Sequence, residues 1–266
     1  MTEKKGSSAL PEARQYGMVA AVYDALMATV PHAQWLSRIE RAARERGKQP
    51  RSALDVACGT GMVTELLRER GYHPLLGFDI SPAMVTIARA KAERFPREER
   101  PHYEVQDAAR LNLGDQTFDL VVSLFDSLNY ILEPVALQNA FIRLYAHTAP
   151  GGLLAFDLNT LYALSQDLFS QSQQWGPVQH IWKAHWDEET QICRVEMDFW
   201  IEDPADLPAR ERRYFHETHV QRAYRVPEIR RMLATAGFRQ VEAFGNYGDR
   251  PPGPRTDRVL FVAEKP

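Results

Sequence analysis

Two cysteines in 266 residues, Cys58 and Cys193, are too few and too far apart for a disulfide framework. That scarcity suits a reducing compartment, and the cytoplasm is the expectation. Long apolar runs are missing as well: none reaches the roughly 20 residues that a membrane helix needs, so no membrane partner is expected. The opening stretch MTEKKGSSALPEAR carries charge without the apolar core of a secretion signal. There is no basic excess either. A formal net charge of −3 gives no electrostatic ground for a nucleic-acid partner, which would call for a basic domain or stripe. No repeat or low-complexity segment occurs.

What is present is a rhythm. Hydrophobic residues make up 44% and charged residues 25%, enough apolar material for one large domain with an insertion. After a polar start, VAAVYDALMATV and AQWLSRIERAARERG read as helices broken at Pro31, with Val19, Val22, Tyr23 and Leu26 at helical spacing. Short apolar runs then alternate with amphipathic stretches. SALDVA, PLLGFD, HYEVQ, FDLVVSL and LLAFDLN read as strands, with APGG a turn before the last. MVTELLRERG, PAMVTIARAKAERF and PVALQNAFIRLYAHT read as helices. This alternation predicts an α/β domain on a mostly parallel sheet. It stops near Thr160, where a helical piece reaching about Phe169 gives way to polar–apolar alternation. That alternation predicts a small antiparallel sheet of about three strands. VPEIRRMLATAGF, RQVEAFGN and DRVLFVAEK resume the first rhythm.

Chemistry concentrates where strands end. In LDVACGTGM, Gly59 and Gly61 permit a tight turn and close ligand approach. The dinucleotide pattern G-x-G-x-x-G is not met, because Thr64 holds its third glycine position. Asp55 precedes the glycines, which would repel a pyrophosphate and attract an ammonium. Asp79 ends the second strand, where a carboxylate can take both ribose hydroxyls. Asp107 follows the third, placed to accept from an adenine amino group, or simply to cap the strand end. An adenosine bearing a cationic amino-acid tail fits all three.

Taken together, these stretches resemble the class I S-adenosylmethionine (SAM)-dependent methyltransferases. DVACGTG is similar to their glycine motif, with Ala57 where the first glycine usually stands. FDIS with Met84 resembles the ribose motif, QDAA the adenine-proximal one, FDLVVSLFDSLNYI the fourth and APGGLLAFDLN the fifth strand with its turn. YGMVAAVYDALM is similar to the lid helix of small-molecule methyltransferases. The inserted sheet resembles that of bacterial amino-sugar N,N-dimethyltransferases. The resemblance implies an α/β, Rossmann-like, doubly wound seven-stranded sheet with its last strand antiparallel. Around it would stand a flexible tail (1–14), lid helices (15–47), a SAM-binding core (48–159 and 226–266) and an inserted antiparallel sheet capping the substrate (160–225).

The same resemblance implies cofactor contacts from Tyr16, Tyr23, Trp35, Asp55, Ala57, Cys58, Gly59, Gly61, Asp79, Ile80, Met84, Gln106, Asp107, Ala108, Ser123, Leu124 and Phe125. S-adenosylhomocysteine would be the product and no metal is implied. Asp126, Asn129 and Tyr130, just past the fourth strand, are expected to face the acceptor; Tyr130 stands where similar sugar N-methyltransferases have histidine. Cys58 lies in the cofactor turn, so a small residue that fits there is expected rather than a nucleophile. His216 and His219 would point to opposite faces of a strand, while Glu217 and His219 share one. A polar pair is the plain reading of the latter. Trp182, Trp186, Trp200 and Tyr214 read either as sheet packing or as a substrate cage.

The leading expectation is methyl transfer to N or O of a small-molecule acceptor. An RNA- or protein-modifying methyltransferase is the alternative, although the N/D-P-P-Y signature of many nucleic-acid amino-methyltransferases is absent. A non-catalytic SAM-binding protein is the other. The oligomeric state stays open, a homodimer included.

Overall fold

A short apolar run becomes an interior strand of the sheet. In the computed structural model, which describes residues 16–175, 178–201 and 213–266, Ala53–Val56 (β1) is buried along its whole length. A parallel strand between two helical layers must be. Its side chains alternate between two cores. Leu54 and Val56 pack with Phe78, Val121 and Phe156, whereas Ala53 packs with Leu75, Leu120 and Val122. The other strands of the sheet are β2 (Leu75–Asp79), β3 (His102–Val105), β4 (Phe118–Ser123), β5 (Thr148–Asn159), β10 (Arg239–Gly245) and β11 (Arg258–Glu264).

Their order is β10-β11-β5-β4-β1-β2-β3. All run parallel except β11, which is antiparallel to both β5 and β10. The seven-stranded sheet with a reversed last strand is as expected. Chain order reverses between β1 and β4, so the crevice for a ligand opens at the C-terminal ends of these strands. Helices α2 (His32–Glu45) and α3 (Met62–Glu69) cover one face through Leu36, Ile39 and Leu67. Helices α5 (Pro134–His147) and α7 (Val226–Ala236) cover the other through Phe141, Leu144, Ile229 and Leu233. The remaining α-helices are α1 (Tyr23–Leu26), which precedes them, and α4 (Pro82–Ala92) and α6 (Leu161–Ser165), which lie between them in sequence.

The inserted sheet has four strands rather than three: β6 (Gln171–Trp175), β7 (Val178–Asp187), β8 (Ile192–Ile201) and β9 (Arg213–Arg222), paired antiparallel in that order. The edge strand β6 reads QSQQW and has no alternation to betray it. The helical piece expected to reach Phe169 stops at Ser165, and Asp167 takes a left-handed backbone conformation at φ 56°. APGG is no separate turn; it is absorbed into β5. Thr148 pairs with Phe118 and Leu153 with Leu120, so the extra residues form a bulge around Gly151 at φ 73°. The tail expected over 1–14 lies outside the described residues. Among the described residues no helix is long and apolar enough to cross a membrane.

The lid segment is less helical than its spacing suggests. A 3-10 turn over Val19–Val22 and the four-residue α1 precede the break at Pro31. The segment's start is anchored from far off in sequence: the backbone N–H groups of Met18 and Val19, which no helical carbonyl would take, are held by the Glu217 carboxylate on β9.

Candidate active site

The glycine turn leaves β1 through three left-handed residues, Ala57 (φ 55°), Gly59 (φ 55°) and Gly61 (φ 86°). At Gly61 a β-carbon would lie 2.5 Å from the Tyr103 hydroxyl, so only glycine fits. Ala57 holds this conformation at a cost of roughly 1–2 kcal/mol. Cys58 is buried, and burial with Asp55 and Asp79 nearby pushes its thiol well above the usual range, which keeps it inert.

Two carboxylates flank this turn. Asp55 is buried and accepts from Thr64 Oγ1 at 2.6 Å, yet burial raises its carboxyl to about 7. Asp79 ends β2 and accepts from the backbone N–H groups of Gly59 (2.9 Å) and Ser81 (2.8 Å). Burial raises it as well, against those bonds. Next to it Ile80 is 69% exposed, an apolar surface with nothing over it. Asp107 accepts from the Ala109 N–H at 2.9 Å and caps the 3-10 turn that begins at Ala108, which is the plain strand-end role. Gln106 donates to Glu104. Met84 is fully buried among lid and insert residues.

The lid closes over this turn. The Tyr23 ring lies 3.6 Å from where a β-carbon on Gly59 would stand. Asp24 bonds Thr60 Oγ1 and pairs with Lys91 at 2.6 Å. Tyr16 and Tyr23 meet edge to face, ring centres 5.9 Å apart. Trp35 sits apart from them, stacked on Tyr247 at 4.7 Å and on Phe125 at 6.0 Å.

Past β4 the chain turns sharply. Ser123 and Leu124 are buried, and the Ser123 hydroxyl has no hydrogen-bond partner. Phe125 (φ 64°) and Asp126 (φ 52°) are successive non-glycine residues in the left-handed region. Such strain persists only where the surroundings over-determine it. Here Asp126 Oδ1 pairs with Arg258 at 2.7 Å, Gln221 bonds its other oxygen, and the Asp126 N–H donates to Asp157 at 3.2 Å. Arg258 also pairs with Asp157, so two buried carboxylates share one guanidinium. Burial still raises the Asp126 carboxyl despite Arg258.

Asn129 was expected to face the acceptor, and it does not. Its amide donates to the Asn159 carbonyl (3.2 Å) and the Arg222 carbonyl (2.8 Å), and it accepts from the Asn159 N–H (2.9 Å). The side chain is a staple between β5 and β9. Tyr130 does face inward: its hydroxyl is 2.8 Å from Tyr16 Oη and 3.0 Å from His219 Nδ1.

A cavity of about 90 Å³ lies among these groups. Tyr16 and Tyr23 line it from the lid, Phe125, Asp126 and Tyr130 from the β4 loop, and Trp182, Phe199, His219 and Gln221 from the inserted sheet. A larger cleft of about 710 Å³ opens beyond Asn159, lined by Thr160, Tyr162, Tyr224 and Pro254, and none of the expected site residues borders it. Trp182 is the one aromatic of the expected cage on the small cavity's wall. Trp200 packs on Tyr214, and Trp186 donates to Glu188. His216 turns away and pairs with Asp198 at 2.9 Å across the strands. Among the described residues no three His, Cys, Asp or Glu side chains group as a metal site.

Gln221, His219, Glu217 and Arg258 were not among the expected site residues. The first three carry a signal, since Phe215, Glu217, His219 and Gln221 alternate onto one face of β9. Arg258 carries none; only the sheet order, β11 beside β5 and β5 beside β4, brings the start of β11 within reach of the loop after β4.

The fold matches known proteins. A methyltransferase domain family matches residues 53–152. A Geobacillus sp. (strain WCH70) protein bearing a provisional methyltransferase name is 31% identical over 255 residues, covering 94% of this chain and 99% of that protein. The dTDP-3-amino-3,4,6-trideoxy-alpha-D-glucopyranose N,N-dimethyltransferase of Streptomyces venezuelae is 27% identical over 209 residues, 76% of this chain and 81% of its own length. Among solved structures, an S-adenosylmethionine-dependent methyltransferase from Clostridium acetobutylicum ATCC 824 is 25% identical and superposes with a TM-score of 0.81, covering 95% of this chain and 99% of its own. Sequence, sheet order and these likenesses converge: the chain belongs to the SAM-dependent methyltransferases.

Proposed function

We propose that this methyltransferase transfers the methyl group of SAM to a nitrogen or oxygen of a small-molecule acceptor held between the lid, the β4 loop and the inserted sheet. The observation that carries this reading is the enclosure of the cavity. Three separate parts of the chain wall it, and Tyr16 and Tyr130 meet across it at 2.8 Å. A polymer would need an open groove. The Streptomyces venezuelae relative, named for an amino sugar, lends support to a small acceptor. The two cysteines, both buried and unpaired, suit the reducing cytoplasm.

The residues fit SAM. Asp55, with its carboxyl near neutrality, is suited to an ammonium, and Asp79 at the end of β2 to a ribose. The exposed face of Ile80 is suited to a flat ring. Bound there, SAM supplies an electrophilic methyl group on a sulfonium whose leaving group is neutral. The protein therefore has to align the acceptor, keep water out and manage one proton. Phe125, Trp182 and Phe199 exclude water, and Asp126 with Tyr130 offers the polar contacts that orient the acceptor.

The test is a metabolite screen in which the purified protein and SAM are followed for S-adenosylhomocysteine formation. Turnover on a small amine or alcohol is expected. Turnover on RNA or protein alone, or binding of NAD but not S-adenosylhomocysteine, would sink the reading.

A further inference from the structure

Glu217 is 1% exposed, yet its carboxylate carries four donors. Oε1 accepts from the Met18 and Val19 N–H groups (2.7 and 2.9 Å), and Oε2 from the Tyr16 N–H and from His219 Nε2, both at 3.0 Å. A carboxylate has about four acceptor positions, so this one is saturated. Its carboxyl is held below the usual range: burial raises it, but the bonds from His219 and the lid backbone more than offset that.

A neutral His219 beside an acceptor-only carboxylate has one choice of tautomer. Nε2 carries the hydrogen and Nδ1 is bare, 3.0 Å from the Tyr130 hydroxyl. Tyr130 must therefore donate to His219, while Tyr16 donates to Tyr130. A phenol has one donor and two acceptor positions. Tyr130 has spent the donor and one acceptor; the remaining acceptor position, which the Gln221 amide also approaches, faces the cavity that both residues line.

We propose that Glu217 and His219 are positioning residues of the transfer step, which make Tyr130 the proton acceptor for the bound substrate and tie that state to closure of the lid. This rests on the methyl-transfer reading above. As the acceptor's lone pair bonds the methyl carbon, the carbon–sulfur pair leaves on neutral sulfur, and the acceptor is left with one surplus proton. That proton passes to Tyr130 Oη as Tyr130's own proton passes to His219 Nδ1. The imidazolium forms beside the Glu217 carboxylate and later returns its proton to water.

The tautomer can be read without knowing the acceptor. In protein labelled uniformly with ¹³C and ¹⁵N and saturated with S-adenosylhomocysteine, with the imidazole signal assigned through its own backbone, His219 should show a protonated Nε2 and a bare Nδ1. Glu217→Gln should scramble that pattern. A wild-type Nδ1–H tautomer overturns the proposal even if neither variant folds. The lid arm is the release rate of S-adenosylhomocysteine: at least about tenfold faster in Glu217→Gln, for loss of charge-assisted bonds, and within about twofold of wild type in His219→Asn. With an acceptor returned by the metabolite screen, both variants should form product about 100-fold more slowly. Unchanged rates would overturn the proton role, and unchanged release in Glu217→Gln the tie to the lid. Should the wild type turn over no acceptor, the methyl-transfer reading falls instead, while the tautomer and release arms still decide their own points.

Discussion

Single residues around the glycine turn are set against their own conformational or ionic preference. Ala57 sits at φ 55°, where a side chain is strained and glycine is not. Ala57→Gly should raise stability by roughly 0.5–1 kcal/mol, read as a higher urea midpoint with unchanged slope. Asp55 is the ionic case. Folded, its carboxyl lies up at about 7; unfolded, it lies near about 4. Between those values the ligand-free protein holds one proton more than the unfolded chain, so its stability falls as pH rises through that window. An ammonium bound beside it selects the carboxylate and releases the proton. Affinity for S-adenosylhomocysteine should accordingly rise by up to about tenfold per pH unit below about 7 and level off above it. Calorimetric titrations from acid to alkaline pH check this, and Asp55→Asn should flatten the curve.

At the level of elements, the join between β4, β5, β9 and β11 is made by polar side chains rather than by apolar packing. Asp126, Asp157 and Arg258 come from three strands or their ends, and Asn129 staples β5 to β9. Arg258→Met would leave two buried carboxylates without a counter-charge, at a cost of about 3–5 kcal/mol in urea unfolding at neutral pH. The deficit should shrink in acid, because the Asp126 carboxyl, already raised by burial, can take up a proton. This join also marks where the sequence ceased to be legible. Strands β1, β2 and β4 announce themselves as short apolar runs because both their faces are covered. The glycines and Asp79 follow from the ends of those runs. β6 is polar and at an edge, so nothing in it favours a strand until β7 pairs with it. Asn129 looked like an acceptor ligand because it lies just past the fourth strand. Its real partners are 30 and 93 residues away, a separation that periodicity does not reach. Glu217 and His219 were visible as a same-face pair, but the lid that gives them meaning starts about 200 residues earlier.

Across the molecule the labour is divided between two sheets. The seven-stranded sheet carries the expected cofactor residues from Asp55 to Phe125, and the inserted sheet contributes Trp182, Phe199, His219 and Gln221 to the cavity wall. A change confined to the insert should then separate the two ligands. Trp182→Ala should raise the acceptor KM at least about tenfold, the loss of a buried aromatic contact, while the affinity for S-adenosylhomocysteine stays within about twofold. Steady-state kinetics and calorimetry measure the two quantities side by side. The bonds from Tyr16, Met18 and Val19 to Glu217 have a consequence for synthesis as well. Those donors leave the ribosome 201, 199 and 198 residues ahead of their acceptor. At roughly 5–20 residues per second, the segment that closes the site waits some 10–40 seconds for the carboxylate that holds it. The glycine turn and the strands beside it are made well before then, so on a growing chain the nucleoside pocket is built open and receives its cover last.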